Sequence, residues 1–429
     1  MSLMERGTMR KKAAAAALAL MMLCCAAGCS APAATDAPES PESEFGGVRD
    51  ERESQPAEPA PTPTPAPSAP KPAAVPTLDE RTAENAASLT LEQKVAQLFV
   101  VTPEAITGVD TATQAGSATQ QALAAYPVGG LVYFQKNLLS ADQTREMIAN
   151  SQAFAQGACG LPLFVGVDEE GGTVSRIGGN PGFDIPNEGN MADVGAAGDT
   201  AQAKAVAARI GGYLSDLDFN LDFAPDSDVC GDPSTDVMAL RSFGTDPAIV
   251  GSMVSAQVEG FAEAGVLCSA KHFPGIGGVM GDSHEGAIVS EKTLDELRDW
   301  ELAPFKAAID AGVPMVMVGH LTAPNAFGSD VPASLNPAAV TDLLRGELGF
   351  QGLVITDSLS MGAVGDFCTP NQAGVAALEA GADLVLMPED FAAAYQGVLD
   401  AVSEGSLSEE RIDQSVLRIV KAKLALAGE

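Results

Sequence analysis

Eight short apolar runs, alternating with helical patterns between residues 97 and 388, constrain this chain more than any other feature. They are QLFVV (97–101), GGLVYF (129–134), PLFVGV (162–167), NLDFAP (220–225), VLCSAK (266–271), PMVMVGH (314–320), GLVITD (352–357) and DLVLMP (383–388). Most are continuously apolar, as strands buried on both faces must be. Between them lie amphipathic stretches such as TREMIANSQAFAQ, AQAKAVAARIGGYLSDL and TLDELRDWELAPFKAAIDAG. Strand then helix, repeated eight times, predicts an α/β fold: a (β/α)8 TIM barrel spanning 78–429 as a single catalytic domain. A doubly wound sheet is the competing arrangement, but no G-x-G-x-x-G opens a helix after the first run.

What precedes the barrel reads differently. Arg10, Lys11 and Lys12 lead into the apolar run AAAAALALMMLCCAAGC, which ends at Cys29. A basic start and a short apolar core make a secretory signal, and the run is too short for a comfortable membrane span. AAGCS resembles a bacterial lipoprotein cleavage site, with Ala26 where leucine is usual, so residues 1–29 are expected to direct export and Cys29 to carry lipid. Residues 30–77 are rich in Pro and Ala, as in PAEPAPTPTPAPSAPKPAA, and form an expected disordered spacer. The chain would then sit outside the cell, held to the membrane by its lipid alone. Cys159, Cys230, Cys268 and Cys368 show no C-x-x-C spacing, so neither a zinc site nor a disulfide framework is signalled. They read as small buried hydrophobes, with one disulfide still open. A formal net charge of −33 argues against a nucleic-acid partner, which needs clustered Lys and Arg.

In a (β/α)8 barrel the C-terminal strand ends line the active-site mouth. Here those ends carry Asp168, Asp226, Lys271 with His272, His320 and Asp357. One polar residue at a strand end often means only that the chain has reached solvent. A Lys-His pair and isolated aspartates after fully apolar runs are not ordinary turn residues. Lys271 also opens KHFPGIGGVMGDSHEG (271–286), which holds two of the three histidines among glycines. Glu169 and Glu170 read as satisfying backbone donors or orienting Arg176. His320 is left between a structural and a ligand role, and Asp226 is left out of the site.

The stretch KHFPGIGGVMGDSHEGAIVSEKTLDELRDWELAPFKAAIDAGVPMVMVGHL resembles the central block of family 3 glycoside hydrolases, in particular single-barrel β-N-acetylglucosaminidases. VDEEGGTVSRI, RSFGTDP, PASLNP and VITDSLSMGAV continue the resemblance in order over nearly all of 88–425. The resemblance implies Asp357 as the nucleophile of a covalent glycosyl-enzyme. It implies His284 as general acid/base, oriented by Asp282. It places Asp168, Arg176, Arg241, Lys271 and His272 on the hydroxyls and acetamido group of a terminal N-acetylglucosamine. The expected substrates are β-linked N-acetylglucosamine glycans or muropeptides, turned over by a monomer without cofactor or metal. Two departures stand out. Ile276 replaces a second histidine in Phe-Pro-Gly-His-Gly, and GGTVSR lacks the usual arginine directly after the glycines, although Arg176 remains.

The chemistry agrees with these assignments. Retaining hydrolysis needs a nucleophile and a proton donor on either side of the anomeric carbon. Histidine titrates near neutrality, and an aspartate fixes its tautomer. Other readings of the same residues are a β-glucosidase and a phosphorylase, since a neutral histidine does not repel phosphate as a carboxylate base would. A catalytically weakened sugar-binding lipoprotein is motivated by Ile276. A metal-dependent hydrolase using His272, His284, His320 and Asp357 is disfavoured, because no His-x-His pair sits at an early strand end.

Overall fold

The computed structural model describes residues 76–279, 281, 286 and 288–428. At its centre lie parallel strands β1 (Phe99–Val101), β2 (Gly130–Val132), β3 (Phe164–Val167), β4 (Leu221–Asp222), β5 (Leu267–Phe273), β6 (Met315–Val318), β7 (Leu353–Thr356) and β8 (Val385–Leu386). Each strand pairs with its neighbours in sequence, and β8 returns to β1 with Phe99 opposite Val385. Main-chain bonds close the ring between β7 and β8. The N–H groups of Asp383 and Leu384 donate to Val354 O at 2.7 and 3.0 Å, and Thr356 N–H donates to Leu384 O at 3.1 Å. The fold is the expected (β/α)8 barrel.

Each apolar run contains one strand, though the strands are shorter than the runs. β8 stops at Leu386 because Met387 turns to φ +41°, off the extended conformation. β5 instead runs on to Phe273, so Lys271 and His272 belong to the strand itself. The predicted helix over 293–312 is two helices, Leu294–Asp299 and Leu302–Asp310. Pro304 explains the break. In one continuous helix it would have to donate to Trp300 O, and its ring would strike that carbonyl.

Helices cover the outside of the barrel. Pro247–Ala264 shows how the sequence fixes their ends: Asp246 accepts from Ala248 N–H, Pro247 takes the first helical position, and Gly265 ends the helix at φ +72°. Gly260 lets this helix close on Thr200–Asp216, because a Cβ there would lie 2.4 Å from Lys204 O. The final helix, Glu409–Leu426, clamps the closure. Ser415 Oγ donates to Asp383 Oδ1 at 2.8 Å and Arg418 pairs with it at 3.0 Å, while Arg345 holds Asp383 Oδ2 at 2.6 Å. At the opposite end from the mouth, buried Lys423 donates to Gln97 Oε1 at 2.6 Å and lies over the Phe164 ring.

Candidate active site

The mouth is built from β3 to β7 around a buried lattice of opposite charges. Lys271 Nζ sits 3.0 Å from Asp168 Oδ1 and 2.7 Å from Glu170 Oε1. Arg241 grips Glu170 with both arms, Nε to Oε2 at 2.8 Å and Nη2 to Oε1 at 2.7 Å. Arg176 reaches Asp168 Oδ2 at 3.8 Å and lies over the Phe134 ring. Glu169 shapes the loop that delivers Arg176. It accepts from the N–H groups of Arg176, Ile177 and Gly178 at 2.5, 3.0 and 2.8 Å, and from Tyr213 Oη at 2.8 Å.

Asp228, just past β4, is a second hub. Its Oδ2 lies 2.7 Å from His272 Nδ1 and its Oδ1 accepts from Ile276 N–H at 2.7 Å. A carboxylate there places the ring proton on Nδ1 and leaves Nε2 toward the cavity, 3.4 Å from Arg241 Nη2. Asp357 follows β7 directly. Its N–H donates to Val318 O at 2.8 Å, and its Oδ1 accepts from Ser358 N–H at 2.7 Å. His320 supports this strand end from behind, with Nδ1 2.7 Å from Ser334 Oγ and Nε2 donating to Ser358 O at 2.9 Å.

These contacts set the charges. Loss of water around Asp357 would raise its carboxyl, but His272, His320 and the Ser358 N–H outweigh that and hold it below the ordinary aspartate value. Burial likewise opposes the charge on Glu170, and Lys271 and Arg241 override it to keep the group strongly acidic. Burial disfavours the His272 cation, yet Asp228 pulls its pKa above the usual imidazole value. Asp226 goes the other way: burial and the neighbouring Asp228 raise it to about 7, against the pull of Arg241.

Asp168, Glu170, Arg176, Arg241, Lys271, His272 and Asp357 face one cavity of about 190 Å³, completed by Phe134, Val174, Met317, Ser358, Met361, Leu386 and Met387. The lining combines charged donors and acceptors with apolar side chains, the mixture a small polar ligand with apolar faces can use. Residues 90–422 match the Glycosyl hydrolase family 3 N terminal domain.

The chain belongs to glycosyl hydrolase family 3.

Family 3 relatives differ in how much of their length this chain covers. It is 35% identical to "Beta-hexosaminidase LpqI" of Mycobacterium tuberculosis over 377 residues, which are 86% of this chain and 89% of that protein. With "Beta-hexosaminidase A" of Pseudoalteromonas piscicida the identity is also 35%, over 70% of this chain but only 54% of the relative. A solved family 3 β-N-acetylglucosaminidase from Paenibacillus superposes with a TM-score of 0.73 at 38% identity, covering 79% of this chain and 63% of that one. This chain thus spans a little over half of the Pseudoalteromonas protein and under two thirds of the Paenibacillus one.

Within this family 3 barrel, Asp168, Arg176, Arg241, Lys271, His272 and Asp357 converge on the one cavity, as the sequence reading grouped them. Asp282, His284 and Cys29 lie outside the described residues. Glu169 does satisfy backbone donors. Glu170, read the same way from sequence, instead binds both Lys271 and Arg241. Asp228 went unnamed, although D-x-D directly after a strand (Asp226-Ser-Asp228) was its signal. Ile276 packs with Met238, Ile288 and Leu321 as a small apolar cluster and keeps only its N–H in the polar network. The four described cysteines are free, Cys230 and Cys268 buried, Cys159 and Cys368 half-buried. Asp226, Asp228 and His272 bring ligand atoms within 4.8 Å of one another. The chemistry there suits a guanidinium better than a metal ion: Asp228 is taken up by His272 and Ile276, and Arg241 Nε already stands 3.6 Å from Asp226.

Proposed function

We propose that this chain is a retaining exo-β-N-acetylglucosaminidase that removes terminal β-linked N-acetylglucosamine from cell-wall fragments or glycans. The observation that carries the reading is the cavity itself. An aspartate held anionic just after β7 shares with a set of sugar-gripping charges a space suited to one terminal ring. The named relatives, β-hexosaminidases and a β-N-acetylglucosaminidase, support the N-acetylated sugar over glucose.

In this reading the Asp357 carboxylate attacks the anomeric carbon as its bond to the leaving oxygen breaks. His284, oriented by Asp282, gives that oxygen its proton. The same histidine then takes a proton from water, whose oxygen attacks the anomeric carbon and frees Asp357. The pairing is chemically sound because the nucleophile must be ionised when the acid is protonated, and the Asp357 surroundings favour the carboxylate. Export with lipid on Cys29 belongs to the same proposal and rests on the signal-like N-terminus. Mass analysis of the N-terminal peptide from membranes checks it, and an unmodified Cys29 refutes it.

Turnover by the full chain tests the enzymatic reading. It should release p-nitrophenol from the β-N-acetylglucosaminide and not from the β-glucoside. Asp357→Ala should lower kcat/KM by at least about 10³-fold. His284→Ala should be milder on this substrate than on a disaccharide, since p-nitrophenolate leaves with little protonation. A strong gain with added phosphate would make the enzyme a phosphorylase. Binding of N-acetylglucosamine without turnover would make it a sugar-binding protein.

A further inference from the structure

Asp226, a described carboxyl of the mouth, does not line the cavity, and the reaction does not explain its place. Its side chain is wholly buried behind Arg241. Oδ1 accepts from Asp228 N–H at 2.9 Å, whereas Oδ2 has no hydrogen-bond partner. The nearest cation is Arg241, whose Nε stands 3.6 Å from that Oδ2 and 2.8 Å from Glu170 Oε2. The guanidinium is therefore shared unequally between an acid that lines the cavity and one that lies behind it.

The groups facing Asp226 come from three elements. Asp228 and Arg241 belong to its own β4 loop, Glu170 to the β3 loop, and His272 to β5, where Lys271 also forms a backbone bridge with Asp226. Arg241 is already held by Glu170 through both arms, and Asp228 is taken up by His272. Ionisation of Asp226 therefore adds a negative charge to a buried lattice, and Arg241 is the group placed to answer it.

We infer that Asp226 is a positioning residue for sugar binding: as the neutral acid it leaves Arg241 clamped to Glu170 at the cavity wall, and as the carboxylate it draws the guanidinium back from the sugar. Asp226 touches neither sugar nor nucleophile, so its ionisation alters KM and leaves kcat in place. The alkaline limb of kcat/KM then reports a binding residue and not the catalytic pair. The inference rests on the sugar-cavity reading above, and wild-type turnover of p-nitrophenyl β-N-acetylglucosaminide is the control that separates the two. No turnover in the wild type defeats the reading itself.

The test is KM and kcat from about pH 5.5 to about pH 8.5 for the full-length wild type and Asp226→Asn, with Asp226→Ser as the second variant should the amide fail to fold. The wild-type KM should rise about five- to tenfold across this range, the low end of coupling between linked groups, with kcat following a separate profile. In Asp226→Asn, or in Asp226→Ser, KM should stay at its low-pH value throughout. His272, whose pKa Asp228 pulls upward, also faces Asp226, and these variants tell the two groups apart. A variant KM that still rises with the wild-type inflection overturns the inference. So does a variant that binds poorly at every pH, which would make the carboxylate an anchor for Arg241.

Discussion

Glu170 has the most to lose from a single change of charge, because two buried cations depend on it. Lys271 and both arms of Arg241 bind its carboxylate. Replacing one partner of a buried ion pair costs about 3–5 kcal/mol, chiefly through the charge left behind. Glu170→Gln keeps the shape and removes that charge. Urea unfolding should show a loss of stability of that order, about 3–5 kcal/mol, with KM for the aryl N-acetylglucosaminide raised as Arg241 and Lys271 lose their common anchor. An unchanged midpoint and KM would show that the lattice holds without it. The pH sign follows from the lowered pKa. The stabilisation from Glu170 is whole above the ordinary glutamate value near 4.5 and disappears as pH falls through the folded value.

At the scale of elements, what the sequence could show depended on how local the cause was. Continuous apolar runs such as LVIT and MVMV are local facts, and each became a barrel strand. Strand-end residues could be named because a barrel puts them at one mouth, which is how Asp168, Lys271 and Asp357 came together. Glu170 to Arg241 is a pairing across 71 residues and Asp228 to His272 one across 44, and nothing in either local sequence announces the partner. The same limit hid the role of the last helix. Lys423, not singled out from sequence, is buried there against Gln97 and Phe164. Burial lowers its pKa to about 7. The unfolded chain then binds this proton more tightly than the fold does, so stability rises with pH from about 7 toward the ordinary lysine value and the penalty is full below about 7. Lys423→Met should flatten that slope and raise stability most at and below neutral pH, as measured by urea titrations across the range. A variant with the wild-type slope would show that Lys423 keeps its proton in the fold.

Across the whole molecule, surface and site answer differently to salt. A net charge of −33 makes the folded chain repel itself, while the charges proposed to grip the sugar are paired, with Lys271 and Glu170 withdrawn from solvent. Mobile ions screen exposed charges over about 10 Å at about 0.1 M and reach buried pairs far less. Raising sodium chloride from about 0.05 to about 0.5 M should therefore raise the unfolding temperature by a few degrees, as self-repulsion is screened. Over the same range KM for the uncharged aryl N-acetylglucosaminide should move by less than about twofold, because neither the ligand nor its lattice exchanges ions with the bath. Scanning calorimetry and initial rates on one preparation measure both. A KM that climbs with salt in step with the melting temperature would mean that the grip of Lys271, Arg241 and Arg176 on the sugar is made in the open, and the buried lattice would lose its claim to the binding energy.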